Sequence, residues 1–246
     1  FEDKMTASRD ILAKSLSRRV SFLFFFLAVV ATDAAVAGTA KELTPIGTAT
    51  VREVIDGDTV ILERRIAVTL GRAGGKTTES SERVRLLGIQ APKPSLEQPG
   101  GGKAKSALAS LVLGKRVTLA AAGRRMDRYG RILAHVYLAG GLWVQGEMLK
   151  RGMARVQTLA DNRALAGEML AAEKSARDGG RGIWALPYYR VRTAGEANMG
   201  SAGKMAGDRG TFQLIEGRIK KAARVKNTVY LNFGDNWRTD FTVTIK

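Results

Sequence analysis

Two short stretches of the sequence carry residue types suited to metal and phosphate chemistry. The first, IDGDT, places the carboxylate of Asp58 beside a tight Asp-Gly turn. The second, RVRLLGIQAPKP, has Arg85 within a strand-like alternation and ends in Gln90, Ala91 and Lys93. Asp58 could supply one half of a metal site, and Gln90, Ala91 and Lys93 offer no carboxylate for the other half.

Each of these residues also has a purely structural interpretation. Asp-Gly is a common hairpin turn, which Asp58 would then cap. Arg85 alternates with apolar neighbours on a strand, so it could form only a salt bridge with Glu53 or Glu82. A guanidinium can instead hold a phosphate through two parallel hydrogen bonds, whether or not a bond is then cleaved. The sequence leaves these interpretations open.

The hydrophobic pattern predicts an α+β fold that is mainly β. Five segments alternate as strands, and Gly-rich residues 71–81 read as a loop. His135, the only histidine, lies within the fifth strand between apolar residues, which favours a structural role. The predicted helices are Lys103–Leu113, Leu142–Lys150 and Asn162–Arg177. Five strands with a helix between the third and fourth predict a five-stranded OB-fold barrel with about three helices.

Several motifs occur in one order across residues 46–184. They are IDGDT, RVRLLGI followed by Ala91-Pro92, the DRYGR turn, RGMARV and GRGIW. Together they resemble the staphylococcal nuclease (thermonuclease) family. The resemblance implies an OB-fold enzyme that cleaves DNA and RNA phosphodiesters with one calcium ion. The loop at residues 71–81 would be a local insertion.

The resemblance implies that the metal site is incomplete. Asp58 matches one calcium ligand of the family, whereas Gln90 and Ala91 stand where the family has an aspartate and a threonine ligand. Lys93 stands where the family has the glutamate usually assigned to activate the attacking water. Loss of a positioned general base typically costs about 10² to 10⁴ in rate.

The phosphate-binding positions of the family are retained. Arg85 and Arg131 match the two arginines that grip the scissile phosphate, and Tyr129 matches a tyrosine that contacts a phosphate. Arg128 is assigned with Tyr129 to substrate binding. Tyr129 and Arg131 could alternatively serve only to close a turn. Two tyrosines that line the family's nucleotide pocket are replaced near Thr158 and Ala160.

The retained arginines and the basic charge predict a protein that binds DNA or RNA through a basic face, and the N-terminal segment described below predicts export. Its calcium-dependent hydrolysis is expected to be weak or lost, which makes it a candidate pseudoenzyme. Calcium is the cofactor that the resemblance implies, and the incomplete site argues against it. One alternative is an active metal-dependent nuclease that uses a modified site. Another is an interaction scaffold whose basic surface meets an acidic protein, because folds of this kind host many functions.

Composition supports a polyanionic partner. The chain has 246 residues, 45% of them hydrophobic, and no cysteine, which excludes disulfides and thiolate zinc sites. Lys and Arg outnumber Asp and Glu by 40 to 23, giving a net charge of +17. Without residues 1–37 the balance is 35 to 19, or +16, so the basic charge belongs to the rest of the chain. Solubility alone is the simpler explanation of this charge.

The N-terminal residues have the three parts of a signal peptide. A basic stretch from Met5 to Arg19 precedes an apolar run, Val20–Ala31, and small residues end at Ala37 before Gly38. We expect cleavage after Ala37 and export to the periplasm or medium, with no stable membrane span remaining. The apolar run of about 12 residues is short for a span of about 20. An uncleaved anchor and a mitochondrial transit peptide are the alternatives.

The remaining chain is predicted to contain a barrel domain (46–187), a linker (188–208) and a β-rich module (209–246) that resembles the truncated start of a second OB-like domain. Three strands alone make a poor independent fold. Aromatic side chains of this module could stack bases beside basic ones that follow phosphates, or could form its core. They are Tyr230, Phe233 and Trp237, beside Lys220, Lys221, Arg224 and Lys226.

Overall fold

A computed structural model describes residues 42–72, 75–197 and 213–245. Five strands close into a barrel in the order β1-β2-β3-β6-β5. They are β1 (Thr44–Asp56), β2 (Thr59–Arg72), β3 (Gly75–Leu86), β5 (Arg116–Ala121) and β6 (Ile132–Tyr137), with the two-residue strand β4 (Ile89–Gln90) after β3. All neighbours in the barrel are antiparallel except β3 and β6, which are parallel. The mainly β α+β architecture and the strand order agree with the prediction.

Three α-helices are present in the described part of the chain: α1 (Gly101–Val112), α2 (Val144–Lys150) and α3 (Ala166–Asp178). The first two begin and end within two residues of their predicted bounds. The third begins four residues later than predicted, because Asn162 forms a bridge with Leu159 and its side chain bonds the backbone of Gly123 and Arg124 instead. An Asn side chain that finds backbone partners elsewhere competes with helix formation.

The core lies inside the barrel and under the three helices. Side chains from all five barrel strands are fully buried, and Leu108, Met148 and Met169 of the three helices join the same cluster. His135 on β6 is also buried, with 2% of its surface exposed, and its ring lies 5.7 Å from that of Trp143. The prediction that His135 is structural agrees with this position.

The predicted loop at residues 71–81 was wrong in its extent. Strands β2 and β3 continue through most of it as a long hairpin, in which Val68 pairs with Glu79 and Leu70 pairs with Thr77. The Thr and Ser residues of this segment suit a strand as well as a loop, and pairing with the alternating apolar residues of β2 decides between them.

The structure also differs from the predicted linker in its first part. Tyr189 is buried and donates a hydrogen bond from its hydroxyl to the Pro99 carbonyl at 2.8 Å. Strand β8 (Arg192–Thr193) pairs in parallel with β9 (Ile215–Glu216). Tertiary packing therefore orders residues 188–197, although their composition is typical of a linker.

The C-terminal module contains a three-stranded antiparallel sheet. Its strands are β10 (Lys221–Val225), β11 (Thr228–Asn232) and β12 (Thr242–Ile245), in that order. Neither Tyr230 nor Phe233 is exposed: both are half-buried, and Phe233 packs against Phe241 with 5.4 Å between ring centroids. The core interpretation therefore applies to Phe233, whereas Trp237 projects from the surface with 64% of its area exposed.

The predicted signal peptide lies outside the described residues. Within residues 42–72, 75–197 and 213–245, the helices are too short or too polar to traverse a lipid bilayer.

Candidate functional site

The turn between β1 and β2 brings two carboxylates to one end of the barrel. The Asp58 amide donates a hydrogen bond to Asp56 Oδ1 at 2.9 Å, which closes the Asp-Gly turn. A Cβ atom at Gly57 would lie 2.5 Å from the Cβ of Ala91 and 2.7 Å from that of Ala104. Only glycine at this position lets the turn pack against the loop after β4 and against α1. The packing leaves Asp58 fully buried.

Arg85 lies beside Asp58 because of the strand register. Thr59, the first residue of β2, is opposite Arg85 on β3, and the Leu86 amide bonds the Asp58 carbonyl at 2.9 Å. The guanidinium of Arg85 lies 3.1 Å from Asp58 Oδ1, and its Nη1 donates to the Leu86 carbonyl at 2.9 Å. Arg85 thus pairs with Asp58, whereas Glu82 pairs with Arg65.

Lys93 joins the two carboxylates. Its Nζ donates hydrogen bonds to Asp58 Oδ1 at 2.5 Å and to Asp56 Oδ2 at 2.8 Å. The Lys93 side chain is only 19% exposed. The backbone amide of Ala91 completes the arrangement by donating to Asp58 Oδ2 at 2.7 Å. Two aspartates thus share one ammonium group, and Arg85 supplies the second positive charge.

This arrangement does not fit a calcium ion. Calcium binds oxygen atoms at about 2.3 to 2.6 Å and requires six to eight of them. The Lys93 ammonium already lies within hydrogen-bond distance of Asp56 and Asp58, and it would repel a divalent cation there. Across the part of the chain that the structure describes, no three His, Asp or Glu side chains are grouped as metal ligands.

The charged side chains of the site are largely buried, so burial and neighbouring charges both shift their pKa values. Burial raises the pKa of Asp58, and the positive charges of Arg85 and Lys93 oppose the rise. Burial also acts to raise the pKa of Asp56, but the hydrogen bond from Lys93 helps to hold it below its ordinary value. Burial lowers the pKa of Arg85, and Asp58 opposes this change. Removal of either cation would therefore favour protonation of the aspartates.

The turn before β6 contributes the other predicted phosphate-binding residues. Arg131 is held by Asp127, whose Oδ2 accepts from Nε and lies 2.7 Å from Nη2 as well. Tyr129 is 63% exposed, and its ring lies 4.8 Å from the guanidinium of Arg128 and 5.4 Å from that of Arg131. Arg131 is therefore paired with Asp127 within the turn, while Tyr129 and Arg128 face solvent.

The remaining replaced positions are Gln90, Ala91, Thr158 and Ala160. Gln90 on β4 pairs with Arg155, and its Oε1 is buried without a hydrogen-bond partner among the described residues. Ala91 is buried against the turn. Thr158 is half-buried and Ala160 exposed in the segment after the short strand β7 (Arg155–Val156).

The structure brings most of the predicted residues together and adds two. Asp58, Arg85 and Lys93 are in direct contact, and the charge of Arg131 acts on Arg85. Sequence reasoning treated Asp56 only as a turn residue and did not single out Asp127. The i,i+2 spacing in DGD and the i,i+4 spacing in DRYGR were the available signals, because each puts a second carboxylate near an identified residue.

Comparisons with known proteins identify nuclease relatives, and the family-model match includes Arg85 and Lys93 but begins after Asp56 and Asp58. The family model described as "Staphylococcal nuclease homologue" matches residues 83–186. A "Thermonuclease" of Staphylococcus intermedius is 30% identical over 138 residues, which cover 54% of this chain and 74% of that protein. An "Uncharacterized endonuclease" of Escherichia coli is 33% identical over 132 residues, covering 53% and 72%.

Similarity extends to longer proteins. A protein of Oryza sativa subsp. japonica named "Probable staphylococcal-like nuclease CAN1" is 38% identical over 112 residues, which cover 46% of this chain and 31% of that protein. The chain likewise spans 46% of the length of "Probable endonuclease lcl3" of Pyrenophora tritici-repentis. It therefore matches less than half of these relatives.

Proposed function

The chain belongs to the staphylococcal nuclease family, and we propose that its barrel binds nucleic acid through a basic face while calcium-dependent hydrolysis is weak or lost. We further propose that the protein is exported after cleavage of residues 1–37. Family membership supports nucleic-acid binding, the contacts of Lys93 support the loss of hydrolysis, and the composition of the N-terminal segment supports export.

The contact of Lys93 with Asp56 and Asp58 carries this proposal. A calcium ion would have to displace an ammonium that makes hydrogen bonds of 2.5 and 2.8 Å in a largely buried position. It would also lack the aspartate and threonine ligands that Gln90 and Ala91 replace. Since calcium affinity depends on the number and charge of oxygen ligands, the site as it stands disfavours the ion strongly.

The same lysine disfavours general-base catalysis. The family's glutamate would take a proton from water, whereas an ammonium that donates to two carboxylates has no free pair to accept one. No other described contact places a free carboxylate in this role, since Asp127 is engaged with Arg131. Hydrolysis by the usual route would thus lack both its metal and its base.

Nucleic-acid binding requires neither a metal ion nor a general base. The net charge of +16 outside residues 1–37 favours a polyanion, and Arg128 and Tyr129 present a cation and an aromatic ring to solvent. Phosphate contacts of this kind release counterions from nucleic acid, which supplies most of the sequence-independent affinity. Because Arg85 and Arg131 are each paired with an aspartate, we expect the exposed cations to contribute more to binding than these two arginines do.

The names of the relatives favour a second candidate, a working nuclease with a modified site. Gln90 Oε1 has no hydrogen-bond partner among the described residues and could serve as an oxygen ligand. This candidate requires Lys93 to leave the two aspartates when a metal binds. A digestion assay distinguishes the two candidates directly.

The test compares the unaltered protein with two variants on plasmid DNA and on RNA, in calcium, manganese or chelator. One variant combines Gln90→Asp and Lys93→Glu. The other adds Ala91→Thr, and both are needed because Ala91 is buried against Gly57 and a larger side chain could disturb the turn. We expect little calcium-dependent cleavage by the unaltered protein. The variants should gain calcium binding, and they should cleave nucleic acid if the glutamate introduced by Lys93→Glu can act as the general base.

Circular dichroism and calorimetric calcium titration show whether each variant is folded and loaded. Strong calcium-dependent cleavage by the unaltered protein would refute the proposal and favour the working nuclease. A folded variant that binds calcium but cleaves nothing would show that other differences, such as Thr158 and Ala160, also prevent hydrolysis. Gln90→Asp alone should improve calcium binding more than rate, because the base is still missing.

A further inference from the structure

The loop between β11 and β12 exposes an aromatic side chain next to a cation. We call residues 233–241 the Trp237 loop. Trp237 is 64% exposed, and the guanidinium of Arg238 lies 4.9 Å from the centroid of its ring. This region lies outside residues 83–186, where the chain matches the family model.

The Trp237 loop holds its tip in a fixed conformation. The amide of Asn236 donates to Asp240 Oδ2 at 2.8 Å, and the Arg238 amide donates to Asn236 Oδ1 at 3.1 Å. The Asp240 amide donates to the Asn236 carbonyl at 2.8 Å. At the base of the loop, the Phe233 amide donates to the Phe241 carbonyl at 3.1 Å. An aromatic ring presented by an ordered loop loses little conformational freedom on binding, which favours its use as a contact.

Lys220, Lys221 and Arg238 lie at this end of the sheet, whereas Arg224 and Lys226 lie by the β10–β11 turn at the other end. Lys220 forms an ion pair of 2.6 Å with Asp235 of the loop, and Lys221 is opposite Asn232, the last residue of β11. Six basic residues and three acidic ones occur in residues 213–245. Two of the acidic ones, Asp235 and Asp240, are already engaged in the contacts described above. The basic residues are Arg218, Lys220, Lys221, Arg224, Lys226 and Arg238.

We propose that the Trp237 loop is a second contact site for single-stranded nucleic acid. Trp237 stacks on an unpaired base, while Arg238 and Lys221 contact the neighbouring phosphates. The bases of a duplex are stacked on one another, so only an unpaired base offers its face to the ring. The partner class rests on the proposed function, but the site is separate from the barrel residues that support that function.

The test measures binding of a fluorescent oligothymidylate to the full chain by anisotropy at low salt. Stacking of one base predicts that Trp237→Ala weakens binding by about 5- to 140-fold, whereas Trp237→Phe, which keeps an aromatic ring, loses much less. Leu170→Ala is the matched control, because Leu170 is another exposed large apolar residue, on α3. Oligothymidylate should also quench the tryptophan fluorescence of the unaltered protein more strongly than that of Trp237→Phe.

Each outcome has a distinct meaning. If the unaltered protein binds the oligonucleotide and Trp237→Ala binds it equally well, the inference is overturned and the proposed function stands. If the unaltered protein does not bind at low salt, the proposed function itself fails. A Trp237→Ala variant that loses affinity only for vesicles containing phosphatidylserine, and not for the oligonucleotide, would overturn the inference in favour of an anionic membrane surface.

Discussion

Replacement of Lys93 by methionine tests the charge arrangement at the centre of the site. Methionine keeps the unbranched shape of the side chain and removes its charge. Asp58 is fully buried, and removal of one partner of a buried ion pair typically costs about 3 to 5 kcal/mol. Asp58 retains Arg85 at 3.1 Å and the Ala91 amide at 2.7 Å, so we expect a loss near the lower limit, about 2 to 3 kcal/mol.

Thermal and urea unfolding measure this loss. For a chain of this size, about 1 kcal/mol corresponds to roughly 2 to 4 °C in Tm, which predicts a decrease of about 4 to 12 °C. Lys105→Met is the control, because Lys105 is an exposed lysine on the neighbouring helix α1. The control should change Tm little, since surface substitutions usually shift the free energy of unfolding by less than about 0.5 kcal/mol.

Calcium provides the second arm of the experiment. Without the ammonium, Asp56 loses its ion pair and Asp58 keeps only that with Arg85, so the two carboxylates attract a divalent cation more strongly. If Lys93→Met bound calcium with a Kd of about 1 mM, 10 mM calcium would restore roughly 1.4 kcal/mol of stability. The Tm of the unaltered protein should be the same in calcium and in chelator.

Two results would refute this reasoning. A Tm for Lys93→Met equal to that of Lys105→Met would show that Lys93 does not stabilise the two aspartates. Equal stabilisation by calcium of the unaltered protein and Lys93→Met would show that the ammonium does not exclude the ion. Magnesium should have a smaller effect on the variant than calcium, because it gives up its water ligands reluctantly.

Three further predictions concern other parts of the molecule. Burial lowers the pKa of His135 from 6.5 to about 4, so the folded protein should lose stability as pH falls through this window. Urea unfolding at pH 7.5 and 4.5 measures this loss, which should be about 2 to 3 kcal/mol smaller in His135→Leu than in the unaltered protein. An equal pH dependence in both proteins would contradict this. Affinity for nucleic acid should fall steeply with salt, and Arg128→Gln should lower the slope of log K against log[salt] by about 1, whereas an unchanged slope would exclude Arg128 from phosphate contact. Mass spectrometry of the exported protein should find Gly38 at its N-terminus, and a product that keeps residues 20–31 would favour the membrane anchor.

The local alternation of apolar and polar residues was sufficient to predict most strands of the barrel. Alternation of apolar and polar residues has the period of a strand, so it identified segments that must bury one face. It could not decide the region 71–81, where Ser, Thr and Gly suit both a loop and the long hairpin that β2 and β3 form. It also missed the packing of residues 188–197, because the burial of Tyr189 depends on a hydrogen bond to Pro99, distant in sequence.

The sequence by itself determined three of the charged groups that the site contains. Asp58, Arg85 and Lys93 were identified from motif position alone, and their types already predicted a poor calcium site. Only the tertiary structure decided that Lys93 donates to both Asp56 and Asp58, 37 and 35 residues away along the chain. That contact exists because Gly57 lets the β1–β2 turn pack against Ala91, and close packing between distant segments leaves no trace in local periodicity.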